Sequence, residues 1–279
     1  MVTGASESVA ARPEGMDLPF GHFAPTVSQR ALIALVRNSF LNRGDFRRYF
    51  AHLLNLVRAS PIDTRFRGGR FRLHYQDNLA ECGILLSPRY NADELEFLIE
   101  GTPPGGIFVD LGANVGLYAI PLAVRVGPAG KIIAIDPGAE ALRRLRFNIA
   151  ASELANVIVY PCAVGDGEYR ADLFLPREDI ALSRVVRAEG GAVAVRPLLD
   201  LLAEAGVTRI DTMKVDVEGF EDKAVPPFFR NAARDLWPRR ICLEPSTFYG
   251  RIAIHSFLEG LGYLEVSANR KNSLFKRRE

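Results

Sequence analysis

The sequence predicts an α/β protein with a doubly wound, mostly parallel sheet, a C-terminal antiparallel hairpin and a small N-terminal extension of helices and a strand hairpin. Two observations lead to this fold class. Beyond residue 106, short apolar segments typical of buried strands alternate with helical segments, as they do in parallel sheets that are covered on both faces. At the end of the chain, two strand-like segments flank the polar turn at 269–272, which is typical of an antiparallel hairpin.

Length and composition allow one large hydrophobic core with an appended subdomain, because 48% of the 279 residues are hydrophobic and 24% are charged. The net charge of +2 creates no field that would demand a nucleic-acid or membrane partner. The N-terminal residues lack the apolar core of a signal peptide, and no apolar run approaches the roughly 18 residues of a membrane span. We therefore expect a cytoplasmic protein.

The chain is predicted to divide into a flexible leader (1–25), a segment of helices with a strand hairpin (26–100) and a main domain (101–279). The leader is rich in small residues and proline and has no periodicity. Helical spacing of apolar residues begins after Thr26, and Asp45 can cap a second helix. We expect these helices to form a lid, to contact substrate or to mediate a homodimer.

Two shorter patterns complete the N-terminal segment. Four arginines alternate with apolar residues around Gly68 and Gly69, as in a strand hairpin. These arginines either contact phosphates or form the solvated face of a two-stranded ribbon, and the short length of the basic run favours the solvated face. Asn91 and Glu94 then predict a capping box for a helix that is broken after residue 101.

In the main domain, apolar runs and helical periodicity predict five strands and three helices. The strands are Ile107 to Leu111, Lys131 to Ile135, Val157 to Cys162, Thr212 to Asp216 and Arg240 to Leu243. The helices are Val115 to Val126, Ala139 to Ala151 and Pro197 to Ala205. In a doubly wound sheet, ligands bind at the carboxyl ends of the strands where the strand order reverses, so the residues at these ends are the candidates for function.

The first two strand ends have the features of a nucleoside site. Gly112 would let backbone N–H groups approach a ligand, and Gly116 would let the following helix pack closely on the sheet. Asp136 ends the second strand, where a carboxylate can accept hydrogen bonds from both hydroxyls of a ribose. The alternative without a ligand is that Gly112 and Gly116 form an ordinary turn and that Asp136 caps the next helix. Acidic residues on two adjacent strand ends together favour a nucleoside.

The glycine spacing indicates which nucleoside is bound. Dinucleotide enzymes use G-x-G-x-x-G to meet a pyrophosphate, whereas this loop has one close-approach glycine between Asp110 and Asn114. A carboxylate at Asp110 suits a ligand with an amino group, and nearby acidic groups would favour a sulfonium cation.

At these residues the sequence resembles the FkbM family of S-adenosylmethionine-dependent methyltransferases, from Phe108 to Pro245. The motifs that carry the resemblance, all in the family's order, are FVDLGANVG (108–116), IAIDP (133–137), FN (147–148), PCAVGD (161–166), LLDLL (198–202) and MKVDVEGFE (213–221). Several ordered motifs are more specific than any one of them.

The resemblance implies a role for each cofactor residue. Asp110, Gly112 and Asn114 would lie against the methionine end, Asp136 would hold the ribose, and Ala163 to Asp166 would flank the adenine. The family usually has Glu at the position of Asp136. The shorter side chain keeps the charge and changes the geometry of the contact.

Methyl transfer to oxygen requires an aligned acceptor and, for a hydroxyl, removal of a proton. The motif around Lys214 offers catalytic candidates, because strand alternation places Lys214 and Asp216 on one side and Glu218 beyond the strand end. Asp216 is the first candidate for the base and Glu218 the second. Alternatively, these carboxylates cap the next helix and Lys214 pairs with one of them inside the sheet. His255 is a weak alternative base.

The acceptor is predicted to be a hydroxylated small molecule, because the resemblance implies methylation of sugars, polyketides and related metabolites. Glu244 would hold substrate hydroxyls or simply order its loop. Ser183, in the polar insertion from residue 167 to 191, and the N-terminal helices are expected to select the substrate. Magnesium could bind Asp216, Glu218 and Glu244, but the scattered histidines argue against a transition-metal cluster, and no obligatory metal is predicted.

Three other functions compete with this prediction. A nucleic-acid methyltransferase would use the hairpin arginines and the terminal KRR (276–278), but the near-zero net charge argues against it. A nicotinamide-dependent oxidoreductase would need the missing third glycine. A non-catalytic scaffold would have the same cofactor loop, and only turnover distinguishes it.

Overall fold

The computed structural model describes residues 15–42, 46–174, 184–188, 190–244 and 248–278. Its centre is a seven-stranded sheet with the strand order β12-β13-β11-β10-β3-β4-β5. The strands of this sheet are β3 (Ile107–Leu111), β4 (Lys131–Ile135), β5 (Val157–Tyr160), β10 (Thr212–Val215), β11 (Arg240–Leu243), β12 (Tyr263–Ala268) and β13 (Ser273–Arg277). Five strands run parallel and the last two form the antiparallel hairpin, which confirms the predicted fold class.

Nine helices are described around the sheet. They are α1 (Val27–Arg37), α2 (Phe46–Val57), α3 (Leu79–Leu86), α4 (Ala92–Gly101), α5 (Ala119–Val126), α6 (Ala139–Ala151), α7 (Leu198–Glu204), α8 (Glu221–Asn231) and α9 (Phe248–Gly260). The α1 helix starts with a capping box in which Thr26 and Gln29 bond each other's backbone. Two hydrophobic clusters cover the two faces of the sheet, one with α1 to α6 and the other with α7 to α9.

The strand order reverses between β3 and β10. From β3 the chain proceeds to β4 and β5 on one side, and later to β10 and β11 on the other. In register, Asp110 lies beside Lys214, and Leu111 lies beside Val215. The carboxyl ends of β3 and β10 therefore open into the crevice where doubly wound sheets bind ligands.

A second, four-stranded sheet was not predicted from the sequence. It has the order β6-β9-β7-β8, with strands β6 (Ala163–Val164), β7 (Tyr169–Phe174), β8 (Arg184–Arg187) and β9 (Val193–Arg196). The polar insertion between residues 167 and 191 thus contains paired strands where it is described. The predicted strand from Val157 to Cys162 also ends earlier, at Tyr160, before the chain turns into this sheet.

The N-terminal hairpin is present as predicted, with β1 (Ile62–Phe66) paired antiparallel to β2 (Gly69–Leu73). The prediction that the hairpin arginines form a solvated face is wrong for Arg72. Arg72 is fully buried and forms a bidentate pair with Asp63, with N···O distances of 2.8 and 2.9 Å. Arg67 and Arg70 pair with carboxylates on neighbouring helices and loops. The hairpin therefore does not present four free arginines to phosphates.

The same ion pair anchors part of the predicted leader. Arg72 donates to the backbone carbonyls of Gly15, Leu18 and Pro19, and Asp63 accepts from the backbone N–H groups of Gly21 and Phe23. Residues 15–25 are thus packed against the hairpin, which corrects the prediction of a loose segment there. Residues 1–14 lie outside the described part of the chain.

The predicted capping box at α4 is wrong. Asn91 has the left-handed backbone (φ 48°) and makes no side-chain cap. Its side-chain amide donates to the Tyr118 hydroxyl at 2.7 Å. The carboxylate of Glu94 accepts from Asn269 and Asn272 in the C-terminal hairpin, so it is committed to a distant segment.

The remaining differences in the main domain concern element ends. The helix predicted from Val115 starts at Ala119, because the residues before it form the glycine loop. The strand predicted to reach Asp216 ends at Val215. Asp45, the predicted cap of α2, is outside the described residues. Among the helices that the structure describes, none is long and apolar enough to cross a membrane.

Candidate functional site

A cavity of about 540 Å³ opens at the carboxyl ends of β3, β4 and β10. The predicted site residues that line it are Gly112, Asn114, Asp136, Ala163, Asp216, Glu218 and Glu244. Four others lie next to it without lining it: Asp110, Gly116, Asp166 and Lys214. Ser183 is outside the described residues. The fold thus gathers side chains from strand ends that are more than a hundred positions apart in the sequence.

Gly112 is required by the close approach of two strand ends. Its φ is +81°, and a Cβ atom there would lie 1.8 Å from the carbonyl oxygen of Asp216. The N–H groups of Gly112 and Ala113 both donate to the carbonyl of Ile135, which draws the loop onto β4. No side chain larger than hydrogen fits at Gly112, so the loop leaves open backbone toward the cavity.

Asp136 braces this loop. One of its carboxylate oxygens accepts from the N–H of Asn114 at 2.7 Å, and the other accepts from the N–H of Gly138 at 2.8 Å. Burial raises the pKa of Asp136 to about 6, against these two hydrogen bonds. Each oxygen keeps a second lone pair, so the carboxylate can still accept from a ligand hydroxyl at the cavity wall. The predicted ribose contact stays a prediction.

Asp110 does not line the cavity, although the sequence suggested that it contacts the methionine end of the cofactor. It is fully buried, and neither carboxylate oxygen forms a side-chain hydrogen bond among the described residues. Burial raises its pKa to about 7, against the charge of Lys214 and a hydrogen bond from the backbone N–H of Ala119. A buried carboxyl with so few partners is costly to ionise, and a cationic ligand group beside it would offset this cost.

Gly116 and Asp166 do not line the cavity either, so neither is placed for a direct contact with a ligand. A Cβ atom on Gly116, whose φ is +96°, would lie 2.8 Å from side-chain atoms of Ile120 and Leu145, so this glycine allows helix packing. Asp166 lies 3.6 Å from Lys223 and accepts from the Tyr169 hydroxyl at 3.3 Å. It is part of the polar surface beside the cavity.

Lys214 is buried beneath the cavity floor. Its Nζ atom lies 3.3 Å from Asp216 Oδ2 and 3.8 Å from Glu244 Oε2, and 5.5 Å from the centre of the Tyr118 ring. Burial lowers the pKa of Lys214, but Asp216 and the other acidic neighbours outweigh that effect and raise it. Lys214 is therefore a permanent cation between two cavity carboxylates, and the predicted pairing inside the sheet is confirmed.

Asp216 points one oxygen at Lys214 and leaves the other without a hydrogen-bond partner among the described residues. Burial raises its pKa above the ordinary range, Lys214 lowers it, and Glu244 raises it again. The sequence left open whether Asp216 or Glu218 caps the following helix. The α8 helix has no side-chain cap, so neither carboxylate is used in that way.

Glu218 combines strained backbone with a perturbed carboxyl. Its φ is 45°, a left-handed conformation that is uncommon for residues other than glycine. Burial, together with the charges of Asp216 and Glu244, raises its pKa to about 7. Strain of this kind is found at functional sites, where the surrounding structure holds it in place. Glu218 thus faces the cavity as a carboxyl that titrates near neutral pH.

One end of the cavity is lined by apolar residues, of which only Ala163 and Val164 were predicted to contact the cofactor. Cys162, Ala163 and Val164 line it together with Val185 and Phe220. Phe220 belongs to the quoted motif at 213–221, so the signal was present in the sequence. This end has the character expected for the adenine, which the resemblance had placed at Ala163.

The N-terminal segment supplies another wall that sequence reasoning missed. Asn78 caps α3 with its side-chain oxygen, and its amide donates to Asn114 of the cofactor loop at 3.0 Å. Tyr90 and Arg47 line the cavity from the loop after α3 and from α2. These residues lie outside the motifs of the resemblance, and no local pattern marks them.

The weak alternative base that the sequence offered lies away from this cavity. His255 lies 3.3 Å from Glu265 in the C-terminal hairpin and does not line the cavity. Cys82, Cys162 and Cys242 are buried and form no disulfide among the described residues. In the described residues, no group of three His, Cys, Asp or Glu is arranged to hold a metal ion. The absence of an obligatory metal stays a prediction.

The residues present fit the cofactor that the resemblance implies. Gly112 presents only backbone to the cavity, and Asp110 is a buried carboxyl without a side-chain hydrogen bond among the described residues. Asp136 has acceptor capacity at the cavity wall, and the apolar end suits a purine.

Comparisons with known proteins identify the family of this chain. The model of the family described as "Methyltransferase FkbM domain" matches residues 110–265. The chain is 29% identical over 206 residues to Methyltransferase sdnD of Sordaria araneosa, covering 59% of this chain and 76% of that protein. It is 27% identical over 158 residues to the AMB antimetabolite synthetase AmbE of Pseudomonas aeruginosa, covering 43% of this chain. The match spans only 7% of that synthetase.

The solved structures that are similar to this chain include an FkbM methyltransferase from Methylobacillus flagellatus. The TM-score is 0.42 and the sequence identity is 16%, and the match covers 72% of this chain and 55% of that one. The family model covers more than half of the sequence, including the glycine loop, the Asp136 turn and the Lys214 motif. The chain therefore belongs to the FkbM family of methyltransferases.

Proposed function

We propose that this S-adenosylmethionine-dependent methyltransferase methylates a hydroxyl group of a small molecule such as a sugar, a polyketide or a related metabolite. The observation that carries the proposal is the row of carboxylates at the cavity floor. Asp216, Glu218 and Glu244 all line the cavity at the carboxyl ends of β10 and β11. A hydroxyl acceptor needs a proton acceptor at this place, and these side chains provide candidates.

The cofactor supplies an electrophilic methyl group on a sulfonium centre when it is bound. Asp110 and Asp136 would hold its amino group and ribose, and the apolar end would hold its base. This arrangement leaves the region above Asp216 and Glu218 for the acceptor. The protein then has to align the acceptor oxygen with the methyl carbon and to exclude water.

Asp216 is the base that we favour, as the sequence suggested. Asp216 lines the cavity, and Lys214 lies 3.3 Å from one of its oxygens, so the carboxylate keeps a fixed orientation. Deprotonation of the hydroxyl transfers the proton to this carboxylate. Glu218 is the second candidate, and Glu244, held between Lys214 and Lys271, is placed to bind substrate hydroxyls.

A substrate panel tests the proposal. The purified chain is incubated with methyl-labelled S-adenosylmethionine and with sugars, hydroxylated polyketides, small amines and RNA, and each product is identified by mass spectrometry. We expect a methyl ether on a small hydroxylated compound. Transfer to nitrogen or to RNA would contradict the proposal, and binding of S-adenosylhomocysteine without any transfer would favour a scaffold.

The rate of methyl transfer is expected to depend on pH near neutrality. Burial raises the pKa of Glu218 to about 7 and also raises that of Asp216, so each carboxyl becomes protonated at a higher pH than usual. Because a base must be ionised to accept a proton, kcat/KM should fall as the pH decreases through about 7 and below. A profile that stays level down to about 4, the ordinary carboxyl range, would contradict a role for either group.

A further inference from the structure

We propose that the acceptor carries an oxyanion, a carboxylate or a phosphate, and that Arg47 and Arg89 bind it at the wall formed by the N-terminal segment. This inference rests on the proposed function, because it assigns this wall to the acceptor. It names a chemical class of substrate and two residues that select it.

The acidic residues of the cavity are gathered on two of its sides. The carboxylates Asp136 and Glu140 lie on the β4 side, and Asp216, Glu218 and Glu244 lie on the floor, where Lys271 also lines the cavity, 3.5 Å from Glu244. The opposite wall comes from the first turn of α2 and from the loop between α3 and α4. It contributes two guanidinium groups, those of Arg47 and Arg89, and no carboxylate among the described lining residues.

Arg47 is held over an aromatic ring close to the candidate base. Its guanidinium carbon lies 5.4 Å from the centre of the Tyr90 ring. That ring packs against Gly83, where a Cβ atom would approach it to 2.4 Å, so the ring has a fixed place. Burial raises the pKa of Tyr90 to about 12, Arg47 lowers it, and Glu244 and Asp216 raise it. Tyr90, Arg47 and the floor carboxylates Asp216 and Glu244 all line the same cavity.

The floor carboxylates do not neutralise the two arginines. Asp216 is paired with Lys214, and Glu244 lies between Lys214 and Lys271. Among the described residues, neither Arg47 nor Arg89 has an acidic side chain within ion-pair distance. Arg47 and Arg89 therefore line the cavity without a carboxylate partner among the described residues.

Guanidinium groups bind carboxylates and phosphates with two parallel hydrogen bonds, which fixes direction as well as distance. The side chain of Ser87 lines the same wall and adds a hydroxyl donor. An acceptor held there by an anionic group would have its hydroxyl turned toward Asp216 and Glu218 across the cavity. The arginines would thus determine which hydroxyl of the acceptor faces the methyl group.

Equilibrium binding tests this assignment without turnover. The protein saturated with S-adenosylhomocysteine is titrated calorimetrically with two matched pairs: 3-hydroxybenzoate with its methyl ester, and glucose 6-phosphate with glucose. We expect the anionic member of at least one pair to bind roughly tenfold more tightly or better, as one charge-assisted pair provides. The double variant Arg47→Gln/Arg89→Gln should lose this preference. Arg48→Gln, an exposed arginine on the same helix, is the matched control and should keep it.

The two pairs separate carboxylate from phosphate as the source of the charge. Equal binding of the charged and neutral members in both pairs would overturn the inference, as would a preference that survives in the double variant. A weaker affinity of the double variant for S-adenosylhomocysteine itself would also overturn it, because the arginines would then belong to the cofactor site. Failure of the wild-type protein to bind S-adenosylhomocysteine would instead contradict the proposed function.

Discussion

Asp216→Asn is expected to lower kcat for methyl transfer by roughly 10²–10⁴-fold, which is the range for loss of a general base. The substitution keeps the shape of the side chain and removes its capacity to take up the acceptor proton. The affinity for S-adenosylhomocysteine should change little, because the loop contacts of Gly112 and Asp136 do not involve this carboxylate. Calorimetry and initial rates with the acceptor found in the panel measure the two quantities.

A matched control separates catalysis from loss of charge. Asp222→Asn removes a carboxylate that is 69% exposed at the start of α8, so it should leave kcat unchanged. If Asp216→Asn stays active while Glu218→Gln is inactive, the base is Glu218. Full activity in both variants would contradict proton removal by this part of the site.

Arg144→Met is expected to lower the free energy of unfolding by about 3–5 kcal/mol, the range for removing one partner of a buried ion pair. Arg144 is 1% exposed on α6 and its guanidinium lies 2.8 Å from Asp77, 2.9 Å from Glu81 and 2.7 Å from Glu140. Glu81 on α3 is fully buried, so the substitution would leave its carboxyl without this cation. Urea unfolding followed by circular dichroism measures the change.

The neighbouring residue on α6 provides the control. Arg143 pairs with Glu140 on the exposed side of the helix, and Arg143→Met should change the free energy of unfolding by at most about 1 kcal/mol. Adding Glu81→Gln to Arg144→Met should recover part of the loss, because a neutral amide is cheaper to bury than an uncompensated carboxylate. Equal stability of Arg144→Met and wild type would show that the buried pair provides no net stabilisation.

The central sheet could be predicted because parallel strands are buried on both faces. Each predicted parallel strand of the main domain is a short run of apolar residues, and the candidate functional residues lie where these runs end. Asp136 and Gly112 were therefore found at the correct strand ends. The strand order also explains why Lys214, Asp216 and Glu218 meet the glycine loop, although they follow it by about a hundred positions.

The N-terminal wall could not be predicted, for reasons that are visible in its residues. Apart from Glu81, the α3 helix is apolar, and it is almost wholly buried, so it lacks the periodicity that marks an amphipathic helix. Glu94 has the local pattern of a capping residue, but asparagines of the C-terminal hairpin use its carboxylate. Arg72 looks like a surface residue in a basic run and is fully buried by its pairing with Asp63. In each case tertiary contacts that the local sequence does not show determine where the side chains lie.

The strand at the outer edge of the main sheet has a consequence for self-association. Edge strands present unpaired peptide groups that can recruit a strand from another molecule and lead to aggregation. In β12, the exposed apolar side chains of Leu264 and Val266 would add to this hazard. The register of β12 shifts between Glu265 and Ser267, and the irregularity interrupts the row of peptide groups just where the charged Glu265 stands. The bulge therefore protects the edge against intermolecular strand addition.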